Sequence, residues 1–207
     1  MRGVFPSTHP LIHEKLGTLR DHRTPAAEFR KLLEDISSWL FYEATRDLPT
    51  RPVSIQTPLA RTGGVRRKRR ILLVPVLRAG LGMLNGILEI VPTAEVGFIG
   101  LQRNEQTLAP ESYYERLPKR LNNYEVFLLD PMLATGGSSV AALDKLISAG
   151  ARHIKMISLV AAPEGIRVVK KNHAALSIFC AAIDECLNDV GFIVPGLGDA
   201  GDRLFGR

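Results

Sequence analysis

Four short stretches hold residue types that could do chemistry together. Asp130-Pro131-Met132-Leu133-Ala134-Thr135-Gly136-Gly137-Ser138-Ser139 sets a carboxylate before a run of small residues with two adjacent glycines and two hydroxyls. Adjacent glycines let the backbone turn inward and aim successive N–H groups at one spot. Such a turn at a helix N-terminus is a ready anion site, and Ser138 and Ser139 are placed to cap the helix. An acid just before it suits a polyol or a metal. Phosphate and sugar side by side suggest a ribose phosphate. Read alone, the stretch also fits an ordinary strand–helix turn of an α/β protein. Leu77-Arg78-Ala79-Gly80-Leu81-Gly82 holds an Arg among small residues, suited to clamping a phosphate while the backbone comes close. Gln102-Arg103-Asn104 puts another Arg at the root of a long polar stretch that could close over a substrate. The fourth stretch, Ile193 to Asp202, matches G-x-G-x-x-G literally at Gly196 to Gly201. Only six residues follow, too few for the helix and second strand of a dinucleotide fingerprint. It reads instead as a loop whose N–H and C=O groups can recognise a flat polar ring, with Asp199 and Asp202 offering oxygens to a metal.

These stretches need elements to carry them. Val126 to Leu129 is a short apolar run of the kind buried in a parallel sheet, and Asp130 closes it. A helix follows, with Val140, Leu143 and Ile147 on one face and Gly150 at its C-terminal cap. Ile71 to Val76 is another buried strand, although Pro75 lacks a ladder donor; Arg78 lies directly after it, and Leu81 to Ile90 is helical. Val96 to Leu101 is a strand, with Arg103 just beyond. Arg103 to Asn123 reads as a long polar loop, which in a compact domain is usually functional. Ile154 to Ala161 and Ser177 to Ile183 are strands separated by a helix over Glu164 to Lys171. At the other end, Thr8 to Arg20 is helical. A second helix starts at Thr24-Pro25 and runs to about Asp47, with Phe29, Leu32, Leu33, Ile36, Leu40 and Ala44 as its apolar face and Trp39 and Tyr42 as packing residues. Val53 to Thr57 is an edge-like strand and Thr62-Gly63-Gly64 a turn. The last 20 or so residues read as irregular. Repeated strand–helix units imply one doubly wound parallel sheet, with ligands at the carboxyl ends of its strands.

Composition narrows the class. At 207 residues and 45% hydrophobic, the chain is globular and sized for one sizeable core. No apolar run approaches the roughly 18 residues of a membrane span. Two cysteines, Cys180 and Cys186, are too few for a disulfide framework or a zinc site; Cys180 falls in an apolar run and reads as a buried small hydrophobe. With no signal core at the start of the sequence, a cytoplasmic location is expected. The net charge of +6 comes from Arg61, Arg66, Arg67, Lys68, Arg69 and Arg70; without them 21 basic residues face 21 acidic ones. Such a run can bind nucleic acid, form a solvated turn, or draw in a phosphate-rich substrate. No aromatic residue is interleaved with it, which argues against a nucleic-acid partner. HExxH, Walker A and nucleophile-elbow patterns are absent, and the five histidines are scattered.

Taken together, these residues resemble a family. Asp130 to Ser138 is similar to the phosphoribosyl-diphosphate (PRPP) loop of phosphoribosyltransferases. Val74 to Met83, Phe41 to Leu48 and Ile193 to Arg203 resemble the uracil branch, and the resemblance covers nearly the whole chain. It implies an α/β fold of the type I phosphoribosyltransferase kind: one domain over residues 1–207, helical over 1–50, with a base-binding hood from about 185 to 207. It implies that Asp130, Arg103 and Asp199 are catalytic. The 5′-phosphate would sit on Ala134, Thr135, Gly136, Gly137 and Ser138, next to Pro131, Met132 and Leu133, with Asp130 on the ribose hydroxyls. Pro131 stands where most phosphoribosyltransferases carry a second acid. Arg78 and Arg103 would hold the diphosphate, Asp199 the sugar diphosphate or its metal, and Ile193, Gly198, Asp199 and Ala200 the uracil. The implied cofactor is Mg²⁺, carried mainly by PRPP. Implied partners are PRPP, uracil, a GTP effector in some members, and a second copy of the chain, with a homodimer typical. Gln102 and Asn104 depart from the aromatic and acidic residues common beside Arg103. Two rival readings are a pyrimidine-sensing RNA-binding regulator on the same fold and a transferase for another base.

Overall fold

A computed structural model describes residues 2–103 and 110–206. In chain order it contains β1 (Val4–Pro6), α1 (Pro10–Arg20), α2 (Ala26–Ala44), β2 (Thr50–Gln56), β3 (Arg61–Arg67) and β4 (Arg70–Leu77). A 3-10 turn (Ala79–Met83), α3 (Leu84–Ile90), β5 (Glu95–Val96), β6 (Phe98–Arg103), β7 (Pro110–Arg116), β8 (Tyr124–Leu129) and β9 (Met132–Leu133) come next. The chain ends with α4 (Gly137–Ser148), β10 (His153–Ala161), α5 (Pro163–Asn172), β11 (Ser177–Ile183), β12 (Cys186–Leu187), β13 (Ile193–Val194) and α6 (Ala200–Phe205).

The main sheet runs β1-β11-β10-β8-β4-β6-β7 and is parallel throughout except for β7. Both faces are covered, and the middles of the central strands are buried on both sides. Ile71, Leu73, Phe127, Leu129, Ile157 and Leu159 point into one core beneath α1, α2 and α3. Leu72, Val74, Val126, Leu128, Met156 and Ile178 point into the other, beneath α4 and α5. This alternation is why the strands read as unbroken apolar runs. Pro75 leaves a visible trace. The Leu73 carbonyl accepts from Gly97 N–H at 2.9 Å, so odd-numbered residues of β4 face that neighbour. Pro75 is the next of them and has no N–H to give. The strand opposite is accordingly interrupted between β5 and β6, and pairing resumes at Val76 and Ile99.

Several expectations are corrected. Thr62 to Gly64 is not a turn but lies inside β3, which pairs antiparallel with β2 as a separate hairpin; the turn is at Thr57 to Ala60. The basic run therefore spans a strand, a bend and the start of β4. Part of it is structural: Arg69 pairs with Glu125 at 2.5 Å, Arg70 with Glu95 at 2.6 Å, and Arg67 donates to Thr93. The Arg103–Asn123 loop contains β7, whose alternating polar side chains suit an edge strand and read in sequence as a loop. Val4 to Pro6, for which the sequence offered no element, adds β1 to the sheet edge beside β11. The second helix stops at Ala44, not Asp47, and Tyr42 faces solvent while Trp39 packs on the core. The expected face of the helix after Asp130 also shifts: α4 buries Ser139, Ala142, Leu143 and Leu146, and leaves Ile147 half-exposed. The tail is not irregular, since β12 and β13 form a hairpin and α6 follows.

Phe127 of β8 meets Phe41 of α2 edge-on at 4.9 Å, both fully buried. Truncation there leaves a cavity that neither the sheet nor the helix can collapse into. Phe127→Ala is expected to lower unfolding stability by about 3–5 kcal/mol, read as a lower urea midpoint at an unchanged denaturant slope.

Candidate active site

The carboxyl ends of β4, β6, β8 and β10 lie along one edge of the sheet, as their parallel registers require. Asp130 sits immediately after β8. Its carboxylate accepts from Met132 N–H and Ser139 Oγ, both at 3.4 Å. Those bonds are long, and burial pushes the Asp130 carboxyl up to about 6, against which the two donors act only weakly. Pro131 and Leu133 are buried, and Met132 is partly so. Gly136 caps α4 with φ of +84°, a left-handed conformation that favours glycine. The expected hydroxyl cap is therefore absent: Ser138 and Ser139 lie inside the first turn of α4, and Ser139 turns inward to Asp130. The first four N–H groups of a helix, counted from its N-cap, have no intrahelical acceptor. This leaves the N–H groups of 136–138, and that of Thr135 before them, without a protein acceptor among the described residues. They end at a helix N-terminus where partial positive charge collects.

Two close backbone contacts seat this loop. A side chain on Gly165, in the first turn of α5, would begin 2.2 Å from the Ala134 carbonyl oxygen. A side chain on Gly80 would begin 2.5 Å from the Leu129 carbonyl oxygen. The first contact fixes the loop against α5. The second fixes the turn that carries Arg78 against the strand that carries Asp130. Arg78 itself is exposed, follows a cis peptide at Leu77–Arg78, and starts the 3-10 turn. Arg103 ends β6 opposite Pro110; its side chain, and Asn104, lie outside the described residues. Gln102 is exposed.

The tail comes to the same edge. The 3-10 turn packs on α6, and Gly191 approaches Thr135. Ile193 and Ala200 are buried, whereas Gly198 and Asp199 are exposed. Asp199 Oδ1 accepts from Asp202 N–H at 2.9 Å and caps α6, a role not anticipated for it. Residues that no motif pointed to hold the loop. Arg20, at the end of α1, forms a two-pronged ion pair with Asp184 at 2.8 and 2.6 Å. Arg20 also donates to the Gly196 carbonyl at 2.7 Å, and Asp184 accepts from Gly196 N–H at 2.9 Å. Both polar groups of Gly196 are thus fixed. Arg203 donates to the Leu197 carbonyl at 3.0 Å and to the Asp21 carbonyl at 2.7 Å, and its guanidinium lies 4.3 Å from the Phe29 ring centre. Arg20 and Asp184 are 164 positions apart, so no local signal joins them.

Asp130, the 134–138 loop, the Arg78 turn and the tail therefore converge, and the arrangement can hold a phosphate, a vicinal diol and a planar ring. Among the described residues, no three His, Cys, Asp or Glu side chains cluster as metal ligands.

Comparison with known proteins follows the same line. A sequence profile described as uracil phosphoribosyltransferase matches residues 6–207. The chain is similar to the uracil phosphoribosyltransferase of Dictyoglomus turgidum, 52% identical over 204 residues, covering 98% of this chain and 99% of that one. It is similar to the enzyme of the same name from Streptococcus pyogenes, 50% identical over 202 residues and 96% of each chain. A solved structure of an Aquifex aeolicus protein superposes with a TM-score of 0.92 at 40% identity, covering 98% of both chains. A purine phosphoribosyltransferase from Pyrococcus horikoshii shares the fold alone, with a TM-score of 0.51 at 13% identity over 73% of this chain and 81% of that one.

Two outcomes test the geometry. Arg20→Ala leaves Asp184, whose side chain is only 4% exposed, without its partner. Amide exchange over residues 193–198 is then expected to quicken while exchange in β8 and β10 stays as it was. For Asp130, the folded chain holds its proton up to about pH 6, above the ordinary value of 3.8. The stability this lends is full below 3.8 and is lost as pH rises to about 6. Asp130→Asn is therefore expected to stabilise the ligand-free protein at pH 8 and not at pH 3.5. At about 1.4 kcal/mol per pH unit the gain has an upper bound of roughly 3 kcal/mol, checked by urea unfolding at both pH values.

Proposed function

The chain belongs to the uracil phosphoribosyltransferase family, and on that premise we propose how its loops divide the reaction among them. The activity transfers the 5-phosphoribosyl group from PRPP to N1 of uracil, giving UMP and diphosphate in pyrimidine salvage. The observation that carries the assignment of roles is the row of unpaired N–H groups at 135–138, directly after the Asp130 carboxylate. The 5′-phosphate occupies that row, and its dianion is stabilised by the N-terminus of α4. Asp130 accepts from the ribose hydroxyls, which supply the short donors that it lacks in the ligand-free protein. Arg78 and Arg103 hold the diphosphate. Ile193, Gly198 and Ala200 offer backbone groups to the uracil edge, and Asp199 stands beside them. A cytosine ring presents a donor where uracil presents an acceptor, so a fixed backbone partner refuses it.

As the C1–O bond breaks, its electron pair leaves with diphosphate. N1 of uracil bonds to C1, and the N1 proton is released. The transition state has oxocarbenium character, as in other glycosyl transfers, and no covalent nucleophile is needed. Arg78 and Arg103 stabilise the charge that collects on the leaving group. Mg²⁺ carried by PRPP would supply Lewis-acid neutralisation of the same charge. Asp199, exposed in the tail, would contact the sugar diphosphate or that metal.

We infer that residues 1–207 act as one phosphoribosyltransferase domain, with 1–50 as its N-terminal embellishment and about 185–207 as the hood over the base. A cytoplasmic location, a homodimer or higher homo-oligomer and a GTP effector are carried over from the family. No helix among the described residues is long and apolar enough to cross a membrane.

The test is a panel of uracil, cytosine, hypoxanthine and orotate, each with PRPP and Mg²⁺. UMP formation is expected with uracil, and the other three bases are expected to react at least about a hundredfold more slowly. Asp130→Asn and Arg78→Ala are each expected to lower kcat/KM for PRPP by about 10²-fold or more. Equal turnover of another base, or full activity in both variants, overturns the assignment.

A further inference from the structure

One buried hydroxyl beside the site has no part in the roles above. Ser158, in β10, is fully buried, and its Oγ has no hydrogen-bond partner. It stands level with Asp130. The two strands keep one register on either side, with Leu129 opposite Ile157 and Met132 opposite Val160. Asp130 N–H donates to the Ile157 carbonyl at 3.1 Å, the bond that such a pairing requires. Side chains level with each other on neighbouring strands share a face. Leu128 and Met156, two residues earlier, both lie in the core beneath α4. Asp130 and Ser158 therefore face α4 too, and Ser139 of α4 does reach the Asp130 carboxylate.

A buried hydroxyl without a partner is costly, and an alanine of nearly the same shape would avoid that cost. Across β10 from Asp130, Ser158 is level with Cys180, a neutral neighbour whose thiol is pushed up to about 12 by burial and, secondarily, by Asp184. The acceptor on the other side is Asp130, one strand spacing away at about 4.8 Å. Its present donors are the two long ones, Met132 N–H and Ser139 Oγ. Burial is the cause that raises Asp130, and no charged side chain contributes to it.

We propose that Ser158 is a positioning residue for the transfer, its hydroxyl donating to the Asp130 carboxylate in the PRPP-bound enzyme and holding it in the orientation that the ribose hydroxyls require. This rests on the reading that Asp130 binds the ribose. A third donor favours the carboxylate over the acid, so Ser158 also widens the pH range over which the site is ready.

The experiment compares kcat/KM for PRPP from pH 5 to 9 in the wild type, Ser158→Ala and Ser158→Cys, each alone and combined with Asp130→Asn. In Ser158→Ala the acid limb is expected to move up by about half to one pH unit. The KM for PRPP at pH 7 is expected to rise about fivefold, while kcat at pH 9 changes less than twofold and thermal stability does not fall. Ser158→Cys, with a weaker donor of similar size, falls between the two and decides the matter if Ser158→Ala does not fold. With Asp130→Asn in place, Ser158→Ala is expected to have no further effect on KM. An unmoved acid limb with unchanged KM overturns the proposal and leaves the role of Asp130 intact. Wild-type kinetics in Asp130→Asn alone overturns both.

Discussion

The end of β8 is approached from two directions by backbone that leaves no room for a side chain. Gly80 lies against the Leu129 carbonyl, and Gly165 against the Ala134 carbonyl. An added Cβ at either place would overlap an oxygen that the sheet and loop geometry hold in place. These contacts set the spacing between the turn that carries Arg78, the strand that carries Asp130 and the loop that carries the free amides. Protein interiors are close-packed and transmit small displacements, so a shift at either contact would move charged groups that must meet one substrate. The parallel sheet supplies the level edge. The glycines supply the close approach that turns the edge into a site.

The tail solves a different problem. It lacks a long helix or a central strand of its own, yet on the proposed division of roles it presents backbone groups to a flat ring. Arg20, Asp184 and Arg203 fix it from outside, through carbonyl and N–H groups of Gly196 and Leu197. A buried ion pair is weak evidence for stability, because desolvation offsets much of the attraction. Its geometric effect is plainer: a two-pronged guanidinium–carboxylate pair has one preferred orientation, and the Gly196 peptide is locked to it. This also accounts for the N-terminal helices. They cover one face of the sheet, and α1 ends where Arg20 can reach the hood.

Legibility in sequence followed the range of the interaction. The strands ending at Leu129 and Val76 were readable because burial on both faces leaves an unbroken apolar run. The turn between Asp130 and α4 was readable because its glycines and its acid are contiguous. The β2–β3 hairpin was misread at Thr62 to Gly64, since glycines inside an exposed strand look like a turn. β7 was missed for a related reason: an edge strand with polar faces has no hydrophobic period to detect. Arg20, Asp184, Gly165 and Ser158 were not legible at all. Each acts through a partner brought close by topology, and Ser158 has a meaning only once β8 and β10 are in register.

On the proposed roles, donor and acceptor are recognised by opposite means, which accounts for where the chain places its order. The phosphate carries charge, so a row of amides at a helix end attracts it over several ångströms and tolerates small misplacement. Uracil carries no net charge. Its discrimination from cytosine depends on whether a given backbone group meets a donor or an acceptor, a contact that fails within about half an ångström of misalignment. The loop proposed to bind the phosphate is accordingly held by simple contact with α5. The loop proposed to read the neutral ring is held by a partly buried ion pair with both polar groups of Gly196 engaged. Rigidity is concentrated where long-range attraction is weakest.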